Sequence, residues 1–151
     1  MEGLTRNGSL HGIDLSVLAG EVVGIAGLVG AGRTELCRAL FGIDRIDGGR
    51  IWVDGEQARF KSPREAVEAG VVLAPEDRQR HGLAGGRPVS ENLSLASLDR
   101  VSPGGIIRSG FERQVVDEQI NQLGLKCGSP AQPAGRLSGG NQQKTVIGKW
   151  L

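Results

Sequence analysis

Residues 22–36 read VVGIAGLVGAGRTEL, in which a short run of small apolar residues leads into a glycine-rich segment. The apolar run 22–26 is typical of a strand that is covered on both faces. The glycines in 27–32 predict a loop, and residues 34–41 carry apolar side chains at helical spacing. A strand, a glycine loop and a helix in this order predict an α/β domain with parallel strands.

The glycine loop matches the phosphate-binding pattern G-x-x-x-x-G-K-[ST], with Arg33 in the position of the lysine. Glycines allow backbone N–H groups to point inward, and the start of the following helix adds partial positive charge. A turn that serves only packing is the alternative reading of such a loop. The predicted nucleotide-binding residues are Gly27, Leu28, Val29, Gly30, Ala31, Gly32, Arg33, Thr34 and Glu35, with the Thr34 hydroxyl also predicted to bind Mg²⁺.

A second motif, LSGGNQQK at residues 137–144, precedes the last predicted helix, 141–151. Ser138 is a favoured helix N-cap, and the glycine amides after it predict an anion-binding helix start. Alone, such a motif is more often a plain cap. The predicted residues of this second site are Leu137, Ser138, Gly139, Gly140, Asn141 and Gln142.

Composition excludes several classes of function. The chain has 151 residues, of which 18 are Lys or Arg and 17 are Asp or Glu, so its net charge of +1 offers no electrostatic footprint for nucleic acid. No apolar run approaches the ~18 residues that span a bilayer. The two cysteines lie far apart with no CxxC spacing, so neither a disulfide framework nor a zinc site is predicted. These features indicate a cytosolic chain.

Local signals predict the remaining elements. Residues 13–17 and 50–54 alternate as half-buried strands, and the second precedes an Asp54-Gly55 hairpin turn. A helix over 62–70 has a capping box, and 71–74 is predicted as a second buried strand. A short helix is predicted from residue 90. A further capping box, Ser109 with Glu112, opens a helix predicted to end at residue 124.

Together, the glycine loop and LSGGNQQK resemble the ATP-binding domain of an ABC transporter. The segments SPREAVEAGVVLAPEDRQRHGL (62–83) and SENLSL (90–95) sharpen this resemblance toward the second, C-terminal half of tandem importers of ribose, galactose and xylose type. The resemblance implies a P-loop NTPase core with an antiparallel β subdomain, at about 10–87, and a helical subdomain at about 88–145. It covers the chain from about residue 10 to its end.

The resemblance also implies roles and partners. Residues 27–35 would hold ATP and Mg²⁺, while 137–142 would act as the signature loop that closes over ATP held by the N-terminal half. Glu76 falls in the slot of a glutamine that senses Mg²⁺ and contacts the membrane subunit. The implied partners are that N-terminal half, a membrane permease and, indirectly, a sugar-binding protein, without nucleic acid. The implied location is peripheral, on the cytoplasmic face of the inner membrane.

Two departures from the family pattern shape the expected activity. In this family the first half usually carries Lys in the P-loop and the second carries Arg, so Arg33 predicts weak hydrolysis at this half's own site. The chain reaches Leu151 before the Walker B strand that would end in Asp-Glu, so the segment alone is expected to be inactive.

The sequence is also compatible with other functions. One alternative is a non-hydrolysing nucleotide-binding regulatory module. Another is a P-loop kinase or GTPase that uses residues 71–77 as its Walker-B-like strand, although the N-K-x-D motif of GTPases is absent. The arginines of the loop after Glu76, at positions 78, 80 and 87, could contact a membrane subunit or could simply be solvated.

Overall fold

A computed structural model describes all of residues 1–151. The chain divides into two compact units, Met1–Leu73 and Ala74–Leu151. None of the helices combines the length and the apolar character that crossing a membrane requires.

The first unit is built on a four-stranded antiparallel sheet. Its strands are β1 (Glu2–Arg6), β2 (Leu10–Ile13), β3 (Gly48–Val53) and β4 (Glu56–Ala58), in the order β2-β1-β3-β4. Helix α1 (Arg33–Leu40) contributes to the same hydrophobic core. The buried core residues of this unit are Leu4, Leu10, Leu36, Ala39 and Ile51. Because α1 packs on the sheet through Leu36 and Ala39, its start is held in a fixed place.

The hairpin and the capped helix predicted for this unit are confirmed. Asp54 and Gly55 both have positive φ, 51° and 83°, as a two-residue turn between β3 and β4 requires. Helix α2 (Pro63–Glu68) begins after Ser62, whose Oγ accepts a hydrogen bond from the Glu65 N–H at 3.4 Å. The Glu65 carboxylate accepts in turn from the Lys61 N–H at 2.8 Å, so the cap is reciprocal but reaches one residue further back than in a standard capping box.

The predicted buried parallel strands are wrong. Residues 22–26 and 71–74 pair with no other strand, and Val22 is 96% exposed. A parallel strand needs partners that arrive through long crossover connections, and the only strand ladders in this chain are antiparallel. The strand predicted at 13–17 is also misplaced, because β2 ends at Ile13. The β-rich part is therefore antiparallel, as the family resemblance implied for one subdomain, and not a parallel core.

The second unit is helical. A π-helical turn (Arg78–Gly82) is followed by α3 (Val89–Ser94), α4 (Leu98–Val101), α5 (Ser109–Leu123) and α6 (Gly139–Gly148), with short 3₁₀ turns at Leu95–Ser97, Pro103–Gly105 and Ala134–Arg136. Its buried core consists of Val89, Leu93, Val116, Leu125, Ala134 and Leu137. Because Leu137 belongs to this core, the segment before α6 is anchored on one side.

Helix α5 differs from its prediction at one end only. It begins after Arg108, with Ser109 as its first helical residue, so the predicted Ser109–Glu112 capping box is wrong. The Glu112 carboxylate instead accepts a hydrogen bond from the buried Ser94 hydroxyl at 2.9 Å, a tertiary contact that a local pattern cannot anticipate. The predicted stop at Gly124 is confirmed, with φ 54° in the left-handed region.

Candidate functional site

The glycine loop reaches α1 through two left-handed residues. Gly30 has φ 82° and Gly32, the N-cap of α1, has φ 84°. A Cβ at Gly32 would also lie 3.0 Å from the Ser9 carbonyl oxygen. Position 32 therefore needs glycine both for its backbone conformation and for space.

The start of α1 presents unpaired donors to solvent. The first intrahelical hydrogen bond runs from the Leu36 N–H to the Gly32 carbonyl at 2.9 Å. The backbone N–H groups of Arg33, Thr34 and Glu35 consequently have no acceptor within the helix. The Arg33 and Thr34 side chains are exposed at the same end. Free amides, a guanidinium and the positive end of a helix together fit a phosphate group.

The rest of the predicted loop is open. Leu28 and Val29 are 85% and 100% exposed, and the loop is closed by one hydrogen bond from the Ala31 N–H to the Leu28 carbonyl at 3.1 Å. At Gly27 a Cβ would come within 3.0 Å of the Ala31 Cβ, so the two ends of the loop approach each other closely. Of the nine predicted residues, 27–32 thus form the loop before α1 and Arg33, Thr34 and Glu35 form its first turn; all are exposed except the buried Gly32 and the partly buried Glu35.

An ion pair fixes the far end of α1. Arg38 donates from Nε and Nη2 to the two carboxylate oxygens of Asp44, each at 2.9 Å, and Arg6 of β1 lies 3.6 Å from the same carboxylate. The hydrogen bond from Arg38 holds the pKa of Asp44 below its ordinary value, against the opposing effect of burial. The carboxylate therefore ties the helix that carries the glycine loop to the sheet.

A metal would need ligands from outside the protein. No group of three or more His, Cys, Asp and Glu side chains lies together in the chain. The exposed Thr34 hydroxyl, beside the free amides, offers one oxygen ligand. That fits Mg²⁺, which usually keeps several waters and binds through one or two protein groups plus phosphate oxygens.

The second motif forms another exposed helix start. Ser138 is the N-cap of α6, with extended backbone at φ −60° and ψ 155°, and its Oγ accepts a hydrogen bond from the side-chain Nδ2 of Asn141 at 2.9 Å, not from a backbone N–H. The Gln142 N–H makes the first intrahelical bond, to the Ser138 carbonyl at 2.9 Å. The amides of Gly139, Gly140 and Asn141 are therefore left without helical acceptors. Ser138 and the two glycines are exposed.

The inner side of this motif is held by a buried amide. Gln142 is only 5% exposed, and its Nε2 donates to the carbonyls of Gly135 at 3.2 Å and Leu137 at 3.1 Å. Its Oε1 accepts from the Arg78 Nε at 3.2 Å. The six predicted residues thus differ in burial. Leu137 and Gln142 are buried and anchor the segment, while the four residues between them lie toward the surface.

Glu76 and the arginines that follow it have different surroundings. Glu76 is exposed, and its carbonyl accepts the Arg78 N–H at 3.2 Å. Arg80 pairs with Asp77 at 3.6 Å, and Arg87 pairs with Glu91 at 2.6 Å, both as exposed local pairs. Sequence reasoning treated the three arginines alike and missed the contact of Arg78 with Gln142. The two residues are 64 positions apart, so no local pattern could have revealed it.

One cleft lies away from all predicted site residues. It has a volume of about 150 Å³ beside β3 and β4, and its lining includes Asp47, Arg50, Gln57 and Arg59. Ligand pockets usually measure roughly 300 Å³ or more, so this cleft is small for an organic ligand. The two helix starts are therefore the better candidates for a functional site.

Comparison with known proteins identifies the family of this chain. The family model described as ABC transporter matches residues 10–151. Proteins named ribose import ATP-binding protein RbsA are similar: those of Chelativorans sp. (strain BNC1) and Geobacillus kaustophilus (strain HTA426) are 46% and 48% identical over 151 residues, which is 100% of this chain. The protein of that name from Bacillus subtilis (strain 168) is 46% identical over 144 residues, or 95% of this chain. The chain spans about 30% of the length of these curated relatives, at 30%, 31% and 29%.

The family match covers both helix starts, the glycine loop before α1 and the LSGGNQQK segment that begins α6. The α/β fold combines an antiparallel sheet with a helical unit, and the match spans most of both. The chain therefore belongs to the ABC transporter family.

Proposed function

We propose that this chain is part of the C-terminal ATP-binding half of a tandem monosaccharide importer, in which it couples ATP binding and hydrolysis to sugar uptake. The observation that carries the proposal is the presence of two exposed helix starts in one chain, one within a phosphate-loop motif and one within a signature motif. The relatives named ribose import ATP-binding proteins support a sugar as the transported substrate.

The nucleotide of this half is held by residues 27–35. The amides at the start of α1 bind phosphate oxygens, Arg33 supplies a positive charge, and Thr34 contributes a hydroxyl ligand to Mg²⁺. Bound Mg²⁺ supplies neutralisation of the charge that develops on the phosphate oxygens. Glu76 belongs to the second unit, and its carboxylate, when ionised, cannot donate a hydrogen bond to water.

The two helix starts serve different nucleotides. Residues 137–142 form the signature loop for ATP held by the N-terminal half of the same transporter, and the loop before α1 holds a second nucleotide. Arg33 makes this second site hydrolytically weak, because a planar guanidinium reaches phosphate differently from the compact ammonium of lysine. The competent site therefore depends on the signature loop of this chain more than on its phosphate loop.

The partners follow from that arrangement. They are the N-terminal ATP-binding half, a membrane permease at the cytoplasmic face of the inner membrane and, indirectly, a sugar-binding protein. Nucleic acid is not a partner, in keeping with a net charge of +1.

Two substitutions in the full tandem protein test this division. Ser138→Arg is expected to abolish ATP hydrolysis, because the bulky guanidinium would occupy the space in front of the free backbone amides at the start of α6. Arg33→Ala is expected to leave much of the hydrolysis, because it affects the weak site. Matched controls are Gln122→Arg, which adds the same charge at an exposed position of α5, and Arg45→Ala, which removes an exposed arginine from the first unit.

The outcomes separate the alternatives. Equal loss from Ser138→Arg and Arg33→Ala would contradict the division of labour. Binding of Mg-ATP by the full wild-type protein without turnover would favour a non-hydrolysing regulatory module. No nucleotide binding at all would refute the proposed function.

A further inference from the structure

The π-helical turn Arg78–Gly82 contacts α6 at both of its ends. At the first end, Arg78 Nε donates to Gln142 Oε1 at 3.2 Å, beside the start of α6. At the second end, Lys149 Nζ donates to the Gly82 carbonyl at 3.1 Å, at the C-terminal cap of α6. The turn therefore lies along the signature helix and is attached to it at two points about two turns of helix apart.

The second attachment is tightly packed. A Cβ at Gly82 would lie 2.9 Å from Val146 Cγ2, and Val146 is fully buried. Lys149 is half-buried, and its desolvation lowers the pKa of the ammonium group. This end of the turn therefore fixes the place of the turn beside α6, so that the Arg78 side chain begins from a defined position.

The first attachment reaches the signature loop itself. A Cβ at Gly139 would lie only 3.0 Å from Arg78 Nη2, so the guanidinium covers the first residue of α6. The Gln142 amide accepts from this guanidinium and donates to the Gly135 and Leu137 carbonyls in the segment before α6. One side chain from the turn thus contacts the amide that holds the loop.

Arg78 is a cation placed beside the start of a helix, where the helix itself is positively polarised. A cation near a helix N-terminus is repelled by the positive end of the helix, so general electrostatics does not bring a guanidinium there. The other two arginines of the segment pair with nearby carboxylates, whereas Arg78 contacts the neutral Gln142. Its position is therefore set by the hydrogen bond to Gln142 and by packing over Gly139.

We propose that Arg78 is a positioning residue for the signature loop and acts through Gln142. Its guanidinium fixes the buried amide, the amide fixes the two carbonyls before α6, and the loop then presents the Ser138 hydroxyl and the free amides in one arrangement. This inference rests on the proposed function of residues 137–142 and adds a residue outside that motif.

The test uses the full tandem protein and measures steady-state ATP hydrolysis together with nucleotide binding and thermal melting. Arg78→Ala is expected to lower kcat by about tenfold to a hundredfold, the size of effect expected when a reacting group is misplaced by about 1 Å. The KM for ATP, the fraction of protein that binds nucleotide and the melting temperature should stay at the wild-type values. The matched control Arg80→Ala, which removes an exposed arginine from the same turn, should leave all four quantities unchanged.

A double-mutant cycle tests the route through Gln142. If Arg78 acts only through that amide, Arg78→Ala combined with Gln142→Ala should be no slower than Gln142→Ala alone. Arg78→Lys, which retains a donor without the fork, should give an intermediate kcat. It also replaces Arg78→Ala in the cycle if the alanine variant does not fold.

Each alternative outcome has a distinct meaning. Wild-type kcat in Arg78→Ala, or multiplicative losses in the double variant, would overturn the positioning role. A fall in the nucleotide-binding fraction that accounts for the whole loss would also overturn it, because Arg78 would then serve folding alone. A wild-type protein that neither binds nor hydrolyses ATP would refute the proposed function, and the inference with it.

Discussion

Two glycines in the helical unit allow the same substitution to be compared in opposite environments. Gly148, the last residue of α6, faces a packed core: a Cβ there would lie 2.7 Å from Leu93 Cδ2 and 2.8 Å from Leu123 Cδ1. Gly110, the second residue of α5, has no heavy atom within 4 Å of such a Cβ. Neither has a positive φ, so alanine is permitted by the backbone at both positions.

The expected signs follow from packing and helix propensity. Alanine in place of glycine stabilises a helix interior by about 1 kcal/mol, and by less near an end. At position 110 this gain is unopposed, so Gly110→Ala should stabilise by roughly 0.5 kcal/mol. At position 148 the methyl group must displace two leucine side chains, one of them fully buried, and overpacking of this kind costs about 1–3 kcal/mol. Gly148→Ala should therefore destabilise the unit by roughly 1 kcal/mol.

Tryptophan fluorescence during urea unfolding can report the helical unit alone. The chain has two tryptophans: Trp52 lies in β3 of the first unit and Trp150 follows α6 in the second. In a Trp52→Phe background, the signal of Trp150 follows unfolding of the helical unit. Gly148→Ala should lower the urea midpoint and Gly110→Ala should raise it, with no change in the slope of either transition.

Equal midpoints for the two variants would refute this reasoning. A higher midpoint for Gly148→Ala would mean that Leu93 and Leu123 move aside at little cost, and that the close packing of α6 does not limit substitution. A changed slope would indicate an altered unfolded or intermediate state instead of a packing effect.

Further predictions concern buried polar and charged groups. Gln119 is 3% exposed and neither atom of its amide has a hydrogen-bond partner, so Gln119→Leu should raise the urea midpoint of the helical unit by an amount that corresponds to about 1–3 kcal/mol. The pKa of Asp44 is lowered by Arg38, so its contribution to stability is present above its ordinary value of 3.8 and is lost as the pH falls through the lower folded value. The free energy of unfolding, followed by the fluorescence of Trp52 in β3, should therefore fall less with decreasing pH in Asp44→Asn than in the wild-type protein. Burial lowers the pKa of Lys149 in the folded protein. Between that folded pKa and 10.5, the unfolded chain binds more protons than the folded chain, so the free energy of unfolding should rise with pH. Urea unfolding across this pH range should show the rise in the wild-type protein and not in Lys149→Met.

The elements that were predictable from sequence are those determined by adjacent residues. The Asp54-Gly55 turn needs positive φ at both positions, the cap of α2 needs Ser62 and Pro63 side by side, and the stop of α5 needs one glycine at 124. Each signal lies within a few residues of the structure that it determines, so the sequence pattern alone identifies it.

The elements that were mispredicted depend on distant partners. An apolar run such as 22–26 is compatible with a buried parallel strand, but only strands from elsewhere can supply the pairing that makes it one. The same limit applies to Glu112, whose partner Ser94 lies 18 positions earlier, and to Arg78, whose partner lies 64 positions later. The two site motifs were predictable because their residues lie close together in the sequence. Arg78, which contacts Gln142 of the second motif, was not, because it lies far from that motif in the chain.

Gly32 before α1 and Gly139 at the start of α6 are needed for different physical reasons. Gly32 has a left-handed backbone and faces the rigid Ser9 carbonyl, so no neighbouring change can make an alanine acceptable there. Gly139 has no positive φ, and the only group that an added Cβ would meet is the guanidinium end of the flexible Arg78 side chain. Gly139→Ala should therefore displace Arg78 from Gln142 and lower kcat of the full protein as Arg78→Ala does, and combining the two substitutions should add little. A larger loss in the combined variant would mean that glycine at 139 is needed for direct contact with nucleotide, independently of the space that Arg78 occupies.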